Sequence, residues 1–156
     1  MEASKTPATT TTQTKLPLPE DDLCGPLEVD LSKLLSLYPQ TDPYHSEIWN
    51  DFVLDKDSIL QKVRVQDFRD EPLPYHDLQL TSSVNCQAEH ERRVAYLYVH
   101  GWDDPIELDV GVAGFDTGSS YPVYDGNHRI AAAVLRGDSH ILANCSGEEN
   151  RIQELL

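Results

Sequence analysis

Basic residues are scarce in this chain of 156: 12 Lys and Arg stand against 27 Asp and Glu, a net charge of −15. A protein that grips a nucleic-acid backbone over a wide surface needs a positive stripe, so this balance argues against broad nucleic-acid binding. It leaves room for a small positive pocket, because potential is local, and it suits a basic protein partner as well as simple solubility. No apolar run approaches the length of about 18 residues that spans a bilayer, so no membrane helix is expected. The first residues lack the apolar core of a signal peptide. Cysteine is limited to Cys24, Cys86 and Cys145, an odd count without metal-type spacing. Reduced thiols in a cytoplasmic protein are the reading that follows. No Cys/His cluster has zinc spacing, and no internal repeat is present.

What is present suits one domain. A hydrophobic content of 39% with 25% charged residues supplies a core for a single soluble unit. Residues 1–20, rich in Thr, Pro and Lys, read as a disordered tail. Residues 21–156 read as the domain, with an elaboration at about 38–82. Leu27–Leu31 alternates apolar and acidic residues and suits a strand. Asp30 is placed to cap a helix over Leu31–Leu37, with Leu31, Leu34 and Leu35 on one face. Pro39 and Pro43 break the chain, and Tyr44 and Trp49 are expected to cover core from a polar loop. Leu54–Val65 has an uneven helical pattern, while Asp77–Leu80 is ambiguous. A helix is expected from Ser82 or Ser83 to about His100, with Val94, Leu97 and Tyr98 buried, Glu89, Arg92 and Arg93 solvated, and Gly101 as its stop. Ile106, Leu108, Val110 and Val112 alternate with Glu107, Asp109 and Gly111, a strand with one buried face. Gly114–Ser120 reads as a hairpin loop, Ile141–Ala143 as a strand and Glu148–Leu156 as a terminal helix.

The chain is organised around Tyr121–Gly137. A short strand, Tyr121–Tyr124, meets a turn at Asp125, Gly126 and Asn127, and an apolar helix follows to Arg136. Asn127 is the expected N-cap and Gly137 the C-terminal stop. Ile130–Leu135 is apolar all round, as in a helix buried on more than one side. The turn brings free backbone N–H groups, His128 and Arg129 to one helix N-terminus, which is the chemistry of an anion site. A capped helix with two polar residues in its first turn is the structural alternative. Glu107 and Asp109 share one strand face and are weak candidates for Mg²⁺, an ion that prefers oxygen ligands. A solvated strand face is the simpler reading of that pair.

Gly126-Asn127-His128-Arg129, lying between a strand and an Ala-rich helix, resembles the Gly-x-x-Arg turn of the ParB/sulfiredoxin superfamily. A second resemblance lies upstream, where the helix ending at Gly101 is followed by three residues and then Pro105-Ile106 opening a strand. The likeness covers about residues 84–145, and Leu27–Leu31 matches the family's first strand. It implies an α/β (α+β) fold with a small mixed sheet and packed helices. It further implies a phosphate or nucleotide site at Asp125, Gly126, Asn127, His128 and Arg129, with His128 and Arg129 as the catalytic candidates. Asn127 occupies the position of the reductase branch's cysteine, which removes the thiol that sulfiredoxin chemistry needs.

Three functions follow as expectations. The first is a ParB-like nucleotide-binding protein that hydrolyses ATP, ADP or CTP, or transfers its phosphoryl group, with Mg²⁺ assisting. The second is a Mg²⁺-dependent nuclease reached through a local basic groove near Arg92, Arg93 and Arg129. The third is a non-catalytic regulatory or interaction module whose acidic surface docks a basic protein.

Overall fold

Asp30 ends one element and starts the next. Its side chain accepts hydrogen bonds from the N–H groups of Ser32 and Lys33, so strand β1 (Leu27–Asp30) passes directly into helix α1 (Leu31–Leu37) by N-capping. This is the transition expected from the sequence. The computed structural model describes residues 25–46, 48–49, 52–73, 83–112 and 121–156. The tail at 1–20, the Asp77–Leu80 stretch and the Gly114–Ser120 loop lie outside the described residues.

After a 3₁₀ turn at Pro39–Thr41 come α2 (Lys56–Val65), α3 (Ser83–His100), β2 (Ile106–Asp109) and β3 (Val123–Asp125). The order then closes with α4 (Asn127–Arg136), β4 (His140–Ser146) and α5 (Glu149–Leu155). The strands form one mixed sheet in the order β1-β4-β2-β3. The β1/β4 and β2/β3 pairs are antiparallel, and β2/β4 is parallel. The protein is therefore a small α+β domain with a mixed four-stranded sheet and packed helices. Among the described residues no helix is long and apolar enough to cross a membrane.

One sheet face is apolar. Val29, Ile106, Leu108, Val123, Ile141 and Ala143 pack there with Leu31 and Leu34 of α1, Ile130 and Ala133 of α4, and Ile152 and Leu155 of α5. A second cluster joins Ala131 and Ala132 of α4 to Val94, Ala95 and Leu97 of α3, Ile59 of α2, and Tyr44, Trp49 and Leu54. Helix α4 is thus sandwiched, with Ile130 and Ala133 on the sheet and Ala131 and Ala132 toward α3, all four fully buried. Its all-round apolar character has this cause: small alanines let two layers approach one helix closely. Tyr44 hydroxyl donates to Ala131 O at 2.7 Å, which ties the 38–49 segment to α4.

Three details differ from the sequence expectation. The N-cap of α4 is Gly126, not Asn127, which is the first helical residue. Asn127 instead accepts from the Tyr121 hydroxyl at 2.6 Å. Strand β2 ends at Asp109, because Asp109 Oδ1 accepts from the Gly111 N–H and Gly111 turns the backbone at φ +73°; Val112 is then 57% exposed. Glu89, Arg92 and Arg93 are half-buried rather than solvated, the first two linked as Asp67–Arg92–Glu89–Arg69.

Candidate functional site

The turn before α4 is shaped by close packing. Gly126 has φ +115°, and a Cβ there would lie against Ile106 Cγ2, within 2.7 Å of Ile106 Cβ and 3.3 Å of its Cα. Only glycine lets the turn seat on β2 in that backbone conformation. The first intrahelical bond runs from Ile130 N–H to Gly126 O at 2.9 Å, and among the described residues no side chain caps the terminus. The N–H groups of Asn127, His128 and Arg129 therefore precede the intrahelical ladder, at the positive end of the helix dipole.

Strand β3 enters this turn through a bulge. Glu107 pairs with Asp125 but Leu108 pairs with Val123, so Tyr124 is the extra residue and stands 87% exposed. A bulge of one residue restores the alternation beyond it and turns Asp125 toward the Glu107 side, where it meets Arg129. Arg129 Nη1 donates to Asp104 O at 2.9 Å and Pro105 O at 2.6 Å, and Nη2 donates to Asp125 Oδ2 at 2.6 Å. The guanidinium fastens the entry of β2 to the turn. Of its five donors, Nε–H and one Nη2–H are not used in these contacts. The Asp125 side chain is 63% exposed, so it is a partner that an incoming anion can displace at small cost.

His128, the second residue of α4, faces α3. Its Nε2 lies 2.7 Å from Nδ1 of His90, with the ring centroids 4.9 Å apart and the planes 17° from parallel. Trp49 packs on both rings, at 4.5 Å from His90 and 4.8 Å from His128, and Phe52 lies 5.6 Å from His90. Burial drives the His90 pKa down to about 4, against the small opposing pull of Glu89. Burial also holds the His128 pKa well below its usual value, with His90, Arg93 and Arg129 adding to the effect. Both imidazoles are neutral at pH 7, and one N–H is shared between them. His128 keeps a partly accessible edge, so it can offer a neutral donor or acceptor to a ligand.

Arg93 is a half-buried cation on the facing side of α3. Its Nη1 donates to Asp70 O and its guanidinium lies 5.5 Å from the Tyr96 ring centroid. Among the described residues it has no carboxylate partner. Desolvation lowers its pKa, with Tyr96 and Asp70 pulling the other way and the Arg129 and Arg69 charges adding to the lowering. Arg93 and Arg129 thus bring two guanidinium charges within electrostatic reach of His128.

A cleft of about 700 Å³ flanks the turn, lined by Gln40, Ser46, Ile48, Tyr121, Val123, Tyr124 and Asn127. Among the described residues this lining has no charged side chain, so that part of the cleft suits an uncharged part of a ligand whose charged end sits at the turn.

Comparison with protein-family models, curated proteins and solved structures returned no match.

The two metal candidates are engaged within the sheet. Glu107 Oε1 accepts from Asn144 Nδ2 at 2.7 Å, and Asp109 Oδ1 accepts from Gly111 N–H at 2.9 Å. These bonds use one oxygen of each carboxylate. Among the described residues no group of three or more His, Cys, Asp or Glu is arranged to hold a metal ion. Mg²⁺ does not require such a cage, since it binds through one or two carboxylates plus phosphate oxygens and water.

The structure brings Asp125, Gly126, Asn127, His128 and Arg129 into one turn and sets Glu107 across from Asp125. Sequence reasoning missed His90 and Trp49 as neighbours of His128, and Phe52 as a neighbour of His90. It also missed the buried Glu91, which accepts from Ser58 and Lys62. A signal for part of this was present: His90, Val94 and Leu97 follow i, i+4, i+7 spacing on the buried face of α3.

Proposed function

We propose that this chain is a ParB/sulfiredoxin-like nucleotide-binding protein that holds phosphate at the Gly126–Arg129 turn and hydrolyses the nucleotide or transfers its phosphoryl group. The observation that carries the reading is the uncapped N-terminus of α4 with Arg129 anchored beside it by the Asp104 and Pro105 carbonyls. Three features add support. Arg93 brings a second guanidinium to an acidic chain. The cleft, uncharged along its described lining, has room for a nucleoside. The order of Gly101, Pro105-Ile106, β3, turn and α4 follows the resemblance.

In this reading the backbone N–H groups of Asn127, His128 and Arg129 bind terminal phosphate oxygens. Arg129 releases Asp125 and neutralises developing charge. Neutral His128 accepts a proton from the attacking hydroxyl or water, or donates to a phosphate oxygen, with His90 fixing its tautomer. Glu107 and Asp109 would share Mg²⁺ with the phosphates, and that ion would supply charge neutralisation.

Calorimetric titration of wild type and Arg129→Ala with ATP, ADP and CTP in Mg²⁺ tests it. Saturable binding by the wild type and loss in the variant is the expected result. No binding of any of the three by the wild type overturns it.

A second reading has an observation of its own. Every charged residue of the four strands is acidic, His140 aside: Glu28, Asp30, Glu107, Asp109 and Asp125. An acidic sheet fits a module that docks a basic protein. Salt-sensitive partner binding that is indifferent to nucleotide and to Arg129→Ala would favour it.

A further inference from the structure

Trp49 is 7% exposed, and its Nε1 is the buried side-chain polar atom left without a hydrogen-bond partner among the described residues. An indole N–H is a donor only. A buried donor with no acceptor calls for a water, an ion or a ligand to complete it. The surroundings narrow the choice. The Trp49 ring lies 4.8 Å from that of His128, in the first turn of α4, and 4.5 Å from that of His90. One ring nitrogen of each imidazole is committed to the other at 2.7 Å, and Phe52, the next ring, offers no acceptor.

Charge then decides what kind of acceptor fits. The cations coupled to His128 are Arg93 on α3 and Arg129 on α4. The acidic groups on the facing surface of α3 are spoken for: Glu89 by Arg69 and Arg92, and Glu91 by Lys62. The Trp49 ring packs on His128 of the α4 first turn, and the uncapped terminus of that helix and the two guanidinium charges acting on His128 favour an anionic oxygen as the acceptor. The indole is also held in advance, since Tyr44 is bonded to Ala131 O of α4 and Leu54 N–H to Pro43 O at 3.2 Å. Trp49 lies between these two ties.

We propose that Trp49 Nε1 is a ligand-binding donor, completed by an oxygen of a phosphoryl group bound at the α4 turn. This rests on the phosphate reading above and adds a residue from the 38–82 elaboration to that site. The elaboration would then help to define the phosphate pocket.

The test uses the indole as its own reporter. The full chain is labelled with ¹⁵N, and a Trp102→Phe variant leaves Trp49 as the single indole signal. Inorganic pyrophosphate, a nucleoside triphosphate and the matching uncharged nucleoside are titrated separately. The expected result is a saturable downfield shift of the Trp49 Nε1–H signal with pyrophosphate and with the triphosphate, but not with the nucleoside. Trp49→Phe, which keeps an aromatic ring and deletes the donor, should weaken pyrophosphate binding about tenfold. Anion binding that leaves the indole signal unmoved, or that is equally tight in Trp49→Phe, overturns this inference and leaves the phosphate reading standing. An indole shift given by the nucleoside as well would assign Trp49 to the uncharged end of the ligand and also overturn it. Binding of neither pyrophosphate nor the triphosphate overturns both.

Discussion

His90 Nδ1 and His128 Nε2 meet at 2.7 Å across the α3–α4 seam, and Trp49 covers both rings. Both histidines are neutral in the fold and must take up protons to match the unfolded chain in acid. A depressed histidine pKa means that the unfolded state binds more protons between its ordinary value near 6.5 and the folded value of about 4. Stability is therefore fully present above about pH 6.5 and falls as pH drops below it. His90 alone accounts for about 2 kcal/mol between pH 7 and pH 5. Urea unfolding across that window should show the loss, and a His90→Phe/His128→Leu double variant should flatten the profile. An equal slope in that variant would remove the pair as the cause.

Gly126→Ala should destabilise by more than about 2 kcal/mol. The added methyl meets Ile106 at its Cβ and backbone, and φ is +115°. Neither element can shift freely, because Ile106 is fully buried in a central strand. A urea midpoint near that of wild type would show that the turn can move.

Lys62→Met should cost about 3 kcal/mol, because it leaves a buried carboxylate without its cation. The Glu91 side chain is 3% exposed and Lys62 Nζ lies 2.8 Å from its Oε2. Burial pushes the Glu91 pKa up, but hydrogen bonds from Lys62, Ser58 and Gln87 together hold it below the usual carboxylate range. With Lys62 gone the balance tips toward burial. The folded variant then takes up the Glu91 proton more readily than its unfolded chain, so the stability gap from wild type should be widest at neutral pH and should narrow in acid, as read by urea unfolding at both.

Arg129→Ala should lose stability as well as ligand, about 1–2 kcal/mol, because two backbone carbonyls lose their donor. Arg129→Lys keeps the charge but cannot serve Asp104, Pro105 and Asp125 with one fork. It should retain weak nucleotide binding with a lowered unfolding midpoint. Unfolding and calorimetry on both variants separate the structural part from the binding part.

Much of the fold was legible because its signals are local. Asp30 as a cap, Gly101 as the stop of α3, and the alternation of Ile106 and Leu108 each act within a few residues. The alternation misled only at Val112, where an Asp109–Gly111 bond ended the strand. The capping of α4 was misread for a longer-range reason: Asn127 has the right chemistry, but Tyr121 claims its oxygen and Gly126 is needed against Ile106. Of the site, the Asp125–Arg129 turn is one continuous stretch and could be read. Its walls come from residues 49, 90 and 93, which have no sequence proximity to it.

What the sequence by itself determined is the set of short-range choices: where helices start and stop, which strand face is apolar, and that α4 is apolar on every side. Those follow from side-chain period and backbone preference. Tertiary structure alone decided that α4 lies between two cores, that His90 meets His128, and that a buried indole lacks an acceptor beside them. Such facts depend on how α3 crosses α4 and where the 38–49 segment is tied down. Packing sets both, through contacts between residues far apart in the chain.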